Sequence, residues 1–285
     1  MNPEEKAVSP PDTPPDQIPE RELASEFQQA MLGHQLSLYY QPIVHLKTGL
    51  VAGFETLMRW NHPERGFISP GIFIPVAEHT GLIVEASKWA LKEAIRALKR
   101  LESHVGHNEH IYMSVNFSPS DLADESFLDE MYNVISASDV RPIQVQLEIT
   151  GELLKNQREN SKAILGLCRK TGLKIAIDDY GLGDPSVFFK HMDDFPISTV
   201  KIDHLVIKDI LTVPEAYELV KTIIAEAKAR NIEVIAEGIE HKEEAIKLRE
   251  MGCRFGQGYY FTKPLPEREL TTLLLQISAF NELLK

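Results

Sequence analysis

The chain has 285 residues, 43% of them hydrophobic and 25% charged, enough apolar content to bury roughly three quarters of its unfolded surface and to exclude disorder over most of its length. Its 30 basic and 42 acidic side chains leave a net charge of -12. That balance argues against polymeric nucleic acid and anionic membrane surfaces as partners, and leaves room for a small anionic ligand held through metal.

Residues 1–20 carry six prolines and no apolar periodicity, and read as a disordered tail or linker, with one domain over residues 21–285. No run reaches the roughly 20 apolar residues of a membrane span, and the opening lacks the basic-then-apolar order of a signal peptide, so a cytoplasmic protein is expected. From Gln35 onward, short runs rich in Val, Ile, Tyr and Phe alternate with amphipathic stretches, the pattern of an α/β architecture. Eight runs begin at Leu36, Leu50, Ile111, Ile143, Lys174, Thr199, Glu233 and Phe255. Helical periodicity covers Glu85–Leu101, Asp121–Ile135, Glu152–Lys170, Val213–Asn231 and Lys242–Met251. The first connection, Lys47-Thr48-Gly49, is too short for a parallel crossover, so strands one and two must be antiparallel. The expected fold is a modified TIM (β/α)8 barrel with one antiparallel strand.

Six of the apolar runs end in, or carry near their ends, a charged or amide residue: Glu55, Asn116, Glu148, the pair Asp178-Asp179, Lys201 and Glu237. A single strand-end acid is a solvated end or a helix cap, but six at corresponding positions are aimed at one mouth of the barrel. Carboxylates so crowded raise one another's pKa unless cations neutralise them. An all-oxygen donor set suits magnesium or manganese rather than zinc. Asp178 and Asp179 should point to opposite faces of a strand, so both can serve one site only if the backbone turns there, which Gly181 and Gly183 permit. Cys168 and Cys253 lack metal-ligand spacing and read as reduced core thiols. The ten histidines, His62 and His204 among them, read as structural or surface residues.

The same residues carry a resemblance. Tyr40-Gln41-Pro42-Ile43-Val44, Glu55-Thr56-Leu57-Met58-Arg59-Trp60, Ser114-Val115-Asn116-Phe117-Ser118, Glu148-Ile149-Thr150, Asp178-Asp179, Lys201-Ile202-Asp203, Ala236-Glu237-Gly238-Ile239-Glu240 and Gln257-Gly258-Tyr259 stand in order. From about Leu23 to Lys285 the chain resembles the EAL-domain phosphodiesterases of cyclic di-GMP, with Thr56 where the name-giving motif has alanine. The resemblance implies hydrolysis of cyclic di-GMP to the linear dinucleotide pGpG with two Mg2+ or Mn2+ ions, and a homodimer. It makes Glu55, Asn116, Glu148 and Asp178 ligands of one ion, and Asp178, Asp179 and Glu237 those of the second. Lys201 would orient the attacking water, held by Asp203 and Glu240. Gln41, Leu57 and Arg59 would meet the substrate, and Gln257 would support the ligands.

Two segments depart from the family pattern. Leu182, Asp184 and Pro185 follow the aspartate pair, and Gly151 stands where a glutamate is usual, with Glu152 one place late. Because some members have become receptors or interaction modules, a catalytically weak or inactive domain acting as a cyclic di-GMP receptor or a protein-interaction module is the alternative expectation.

Overall fold

The computed structural model describes residues 18–105, 111–151, 158–182, 189, 193–275 and 280. Ten strands lie in these residues: β1 Leu36–His45, β2 Val51–His62, β3 Gly66–Ile68, β4 Tyr112–Asn116, β5 Val145–Thr150, β6 Lys174–Tyr180, β7 Thr199–Ile202, β8 Glu233–Ala236, β9 Phe255–Gly256 and β10 Leu265–Pro266. Eight of them close a barrel in the order β1-β2-β4-β5-β6-β7-β8-β9, with β9 returning to β1. From β2 to β9 every barrel pairing is parallel, whereas β1 is antiparallel to both of its barrel neighbours. The fold expected from the sequence is therefore the one observed. The hairpin turn places Gly49 at φ 71°, a left-handed conformation that suits glycine.

The helices are α1 Glu20–Leu32, α2 Pro70–His79, α3 Ile83–Val105, α4 Pro119–Ala123, α5 Glu125–Ser136, α6 Arg158–Lys170, α7 His204–Ile207, α8 Pro214–Ala229, α9 Lys242–Glu250 and α10 Glu267–Leu275. The predicted helix Asp121–Ile135 is two helices. Asp124 ends the first and caps the second, its Oδ1 accepting the Phe127 N–H at 2.8 Å. Of the helix predicted over Glu152–Lys170, residues 152–157 lie outside the described residues, and the remainder is helical. The eighth run is a strand only at Phe255–Gly256, because the chain turns at once to pass close against Ile239.

The sequence reading assigns no helix to 20–32. There α1 buries Leu23, Phe27 and Ala30, spaced four and three apart, against a second apolar cluster beside the barrel. At its centre the fully buried Trp60 meets Phe27 edge-on at 5.4 Å and Phe73 at 5.7 Å, and its indole N–H donates to Gln35 Oε1 at 3.1 Å. The cluster braces the far end of β2, the strand that carries Glu55.

Thr56 is buried, and its hydroxyl donates to the Ser114 carbonyl at 2.9 Å, tying β2 to β4. Thr56→Ala, which restores the family spelling, should therefore cost about 1 kcal/mol. A denaturant midpoint that did not move would show that this bond adds nothing.

Candidate active site

The carboxyl ends of the parallel strands converge on one buried cation. Lys201, on β7, is 0% exposed. Its Nζ lies 2.8 Å from Glu237 Oε1, 2.9 Å from Glu148 Oε2, and 3.3 Å from both Glu55 Oε2 and Asp178 Oδ1. Register sets this up: Glu55 is level with Ser114, Asn116 with Glu148, and Thr150 with Asp178 on successive strands. Glu55 is not at a strand end as expected, since β2 runs on to His62 to pair with β3.

Neutral donors fix the carboxylates around that cation. Gln257 Nε2 reaches Glu55 Oε2 at 2.6 Å and Glu237 Oε1 at 3.1 Å, bridging β2 and the end of β8. Asn116 Nδ2 donates to Glu55 Oε1 at 3.2 Å, and the Ser114 hydroxyl donates to Glu148 Oε1. Ser114 in turn accepts from Gln146 Nε2 at 3.0 Å, and Thr199 donates to Gln146 Oε1 at 2.9 Å, so the floor beneath Glu148 is a chain of hydrogen bonds across three strands. Ser114 appears in the sequence only as part of a motif. No period or charge marks it as a contact of Glu148.

The backbone does turn at the aspartate pair, and the turn is made by Asp179 itself. Its φ is 54°, the left-handed region that an aspartate tolerates better than most residues, and the β6–β7 register slips between Ile177 and Tyr180. Asp178 then faces Lys201, while Asp179 shares a side-chain hydrogen bond with Asp203.

The partners expected for Lys201, Asp203 and Glu240, are not those the structure gives it. After Ile202 the chain leaves the strand, and Asp203 caps α7, accepting the Leu205 N–H at 2.6 Å. Glu240 is exposed, and its backbone N–H donates to Glu244 Oε2 at 2.9 Å. Gln41 lies opposite Glu55 in the β1–β2 pairing, and Leu57 and Arg59 line a cavity of about 410 Å³ that reaches Asn116. Arg59 is half-buried over the Tyr39 ring at 5.6 Å; burial lowers its guanidinium pKa, opposed by Tyr259 and Glu55 nearby. Gly151 is buried at the end of β5 and Leu182 is exposed. Glu152, Asp184, Pro185 and Ser186 lie outside the described residues.

Four acids facing one ammonium set the electrostatics. Burial would depress Lys201, but Glu148, Glu237, Glu55 and Asp178 together hold it well above the ordinary lysine value, so it is an ammonium. Glu148 is pushed up to about 8 by burial, with Glu55 and Asp178 adding to the rise against Lys201. Glu237 is raised for the same reasons. The acids converge on Lys201 Nζ: among the described residues, no three His, Cys, Asp or Glu side chains are grouped to ligate an ion. In donor chemistry the cluster fits hard divalent cations, being all oxygen and in excess over its one cation. Among the described residues, the buried Asp178 Oδ1 accepts no hydrogen bond beyond its ion pair with Lys201, and the buried Gln257 Oε1 accepts none.

Both cysteines are free and buried, as expected, and burial pushes Cys168 up to about 11 and Cys253 up to about 12. Among the described residues, no helix is long and apolar enough to cross a membrane.

A closed α/β barrel with acids, an amide and a lysine gathered at the carboxyl ends of its strands has the layout of a barrel enzyme. The family model of the EAL domain matches residues 24–264, and the chain belongs to that family. It is 33% identical over 255 residues to cyclic di-GMP phosphodiesterase NbdA of Pseudomonas aeruginosa, covering 90% of this chain and 32% of that protein. It is also 33% identical over 237 residues to the probable cyclic di-GMP phosphodiesterase PdeG of Escherichia coli, covering 83% of this chain and 46% of the other. The chain thus spans less than half the length of these relatives. Among solved structures, EAL enzyme Bd1971 in its cAMP and cyclic-di-GMP bound form superposes with a TM-score of 0.84 at 33% identity, over 90% of this chain and 69% of that one. The PaMucR phosphodiesterase complex with c-di-GMP gives 0.81 at 33% identity, over 87% and 99%.

Proposed function

We propose that this chain is a metal-dependent phosphodiesterase that opens cyclic di-GMP to the linear dinucleotide pGpG. The observation that carries the reading is the buried Lys201 with its four carboxylates, flanked by Asn116 and Gln257. Glu55, Asn116, Glu148 and Asp178 would hold one divalent ion, and Asp179 and Glu237 a second beside Asp178. Such ions would supply Lewis-acid stabilisation of the attacking and leaving oxygens and lower the pKa of a bound water.

The chain's own residues do the rest. Lys201, kept charged by its neighbours, donates a hydrogen bond to the attacking water and gains strength as negative charge develops. Arg59 offers a forked pair of N–H donors to a phosphate oxygen, and Gln41 presents an amide to a guanine edge. Gln257 holds Glu55 and Glu237 at a fixed separation, so neither side chain must reorganise during the reaction.

The test is chromatography of cyclic di-GMP incubated with the protein and one cation at a time. Linear dinucleotide should form in magnesium or manganese and not in calcium, which prefers more ligands at longer distances. Equal rates in calcium would sink the metal assignment. Binding of cyclic di-GMP without cleavage in any of the three would favour the receptor function.

Metal binding should also be linked to protons. Glu148 and Glu237 hold theirs above the ordinary carboxylate range in the metal-free protein and must release them on ligation. Apparent metal affinity should therefore rise with pH toward about 8. Titration calorimetry in two buffers of different ionisation enthalpy should show net proton release below that pH, and heats independent of the buffer would contradict it.

A further inference from the structure

At the barrel mouth one aromatic ring is left largely in water beside a cation. Tyr259 is 59% exposed, whereas Tyr260 is half-buried and packs on Phe261, which is buried. Tyr259 stands two residues beyond Gln257, whose amide binds Glu55 and Glu237. Lys263 Nζ sits 5.5 Å from the centre of the Tyr259 ring, and the Arg59 guanidinium on β2 is close enough to feel the phenol oxygen.

The placement is imposed by the backbone. A Cβ at Gly258 would lie 2.1 Å from the Ile239 carbonyl oxygen and 2.3 Å from its nitrogen. Ile239 N–H donates to the Gln257 carbonyl at 3.1 Å, and the Tyr260 N–H to the Ile239 carbonyl at 2.9 Å. These bonds clamp the chain on both sides of Tyr259 and leave its side chain outward. An exposed aromatic face with a cation beside it is the chemistry that recognises a nucleotide, the ring stacking on a base and the cation meeting phosphate.

We infer that Tyr259 is a stacking platform for a nucleobase of the bound substrate, offering the ring face that Lys263 leaves open, with Lys263 and Arg59 as nearby phosphate contacts. The inference rests on the proposed function for the identity of the substrate, and adds a base contact outside the carboxylate cluster. Stacking on a π-face tolerates any base, so Tyr259 contributes affinity and orientation, not a choice among bases.

Tyr259→Ala, Tyr259→Phe and Tyr259→Trp would be compared with the wild type for cleavage of cyclic di-GMP in magnesium. The alanine variant should raise KM about tenfold and leave kcat within a factor of about two, the size expected for one stacked base. Phenylalanine and tryptophan should restore KM to within about threefold, since both keep a ring. A cyclic dinucleotide carrying 2-aminopurine should lose fluorescence on binding the wild type and much less on binding Tyr259→Ala. This last signature would not follow from a merely structural role. Unchanged KM and unchanged quenching in Tyr259→Ala, with an active wild type, would overturn the base contact alone. A wild type that neither binds nor cleaves cyclic di-GMP would overturn the functional reading and the contact together.

Discussion

Replacing Lys201 with alanine should lower turnover by at least about a hundredfold, since its donor is aimed where charge develops. The same change removes the only cation within ion-pair distance of Glu55, Glu148, Asp178 and Glu237 among the described residues. Breaking a buried ion pair from one side costs about 3–5 kcal/mol, so the metal-free variant should also be much less stable. The cost depends on pH in a definite sense. Glu148 is held at about 8 in the folded protein against 4.5 for a free glutamate, so its protonated form favours folding. That stability is complete below about 4.5 and is lost as pH rises through about 8. Guanidinium unfolding at pH 5.5 and pH 8 should then show the variant's deficit widening at the higher pH and shrinking when magnesium is added. A deficit independent of both would mean that the four acids do not share their charge through Lys201. Lys201→Met, which keeps most of the volume, should lose turnover equally.

Gly258→Ala adds one carbon and should be nearly as damaging. The new atom would fall within 2.7 Å of three backbone atoms of Ile239, and no flexible side chain stands there to yield. Overpacking of this kind costs about 1–3 kcal/mol or more. The chain relieves it only by moving the Gln257–Tyr260 turn off Ile239, which drags the Gln257 amide from Glu55 and Glu237. Stability and turnover should fall together, turnover by about tenfold or more, as for a donor lost from a polar network. Gln257→Ala, which removes the amide but leaves the backbone alone, should lower turnover without most of the loss of stability. If Gly258→Ala retained wild-type melting and rate, the contact with Ile239 would be looser than its geometry implies.

Where strands alternate with helices, periodicity alone places the barrel, because each parallel strand is an apolar run too short to be a helix. Lys47-Thr48-Gly49 settles the direction of β1 by length. The α1 and α2 layer was not legible: its core joins Phe27, Trp60 and Phe73 from three separate elements, and such packing leaves no mark in local sequence. Strand register gathers Glu55, Asn116, Glu148, Asp178 and Lys201, and Glu237 and Gln257 join them from just beyond β8 and β9. Their mutual contacts were not foreseeable. A period of two places Asp203 on the face of Lys201, and only the start of α7 after Ile202 turns it into a cap. The bend at Asp179 was expected two or more residues later, at the glycines, because a left-handed aspartate leaves no signature.

The antiparallel β1 gives the barrel an uneven assembly history. The hairpin that seats Glu55 needs only its own turn and is a local, early-forming element. The bond between Glu55 and Gln257 joins residues 202 positions apart and exists only once β9 has reached β1. Loop-closure entropy must be met over nearly the whole domain before that contact returns anything. The carboxylate cluster is thus completed at the seam of the barrel, and a chain stalled short of its last strand would own every acid of the site and still lack the clasp between its two ends. Catalytic competence in this architecture reports that the ring has shut.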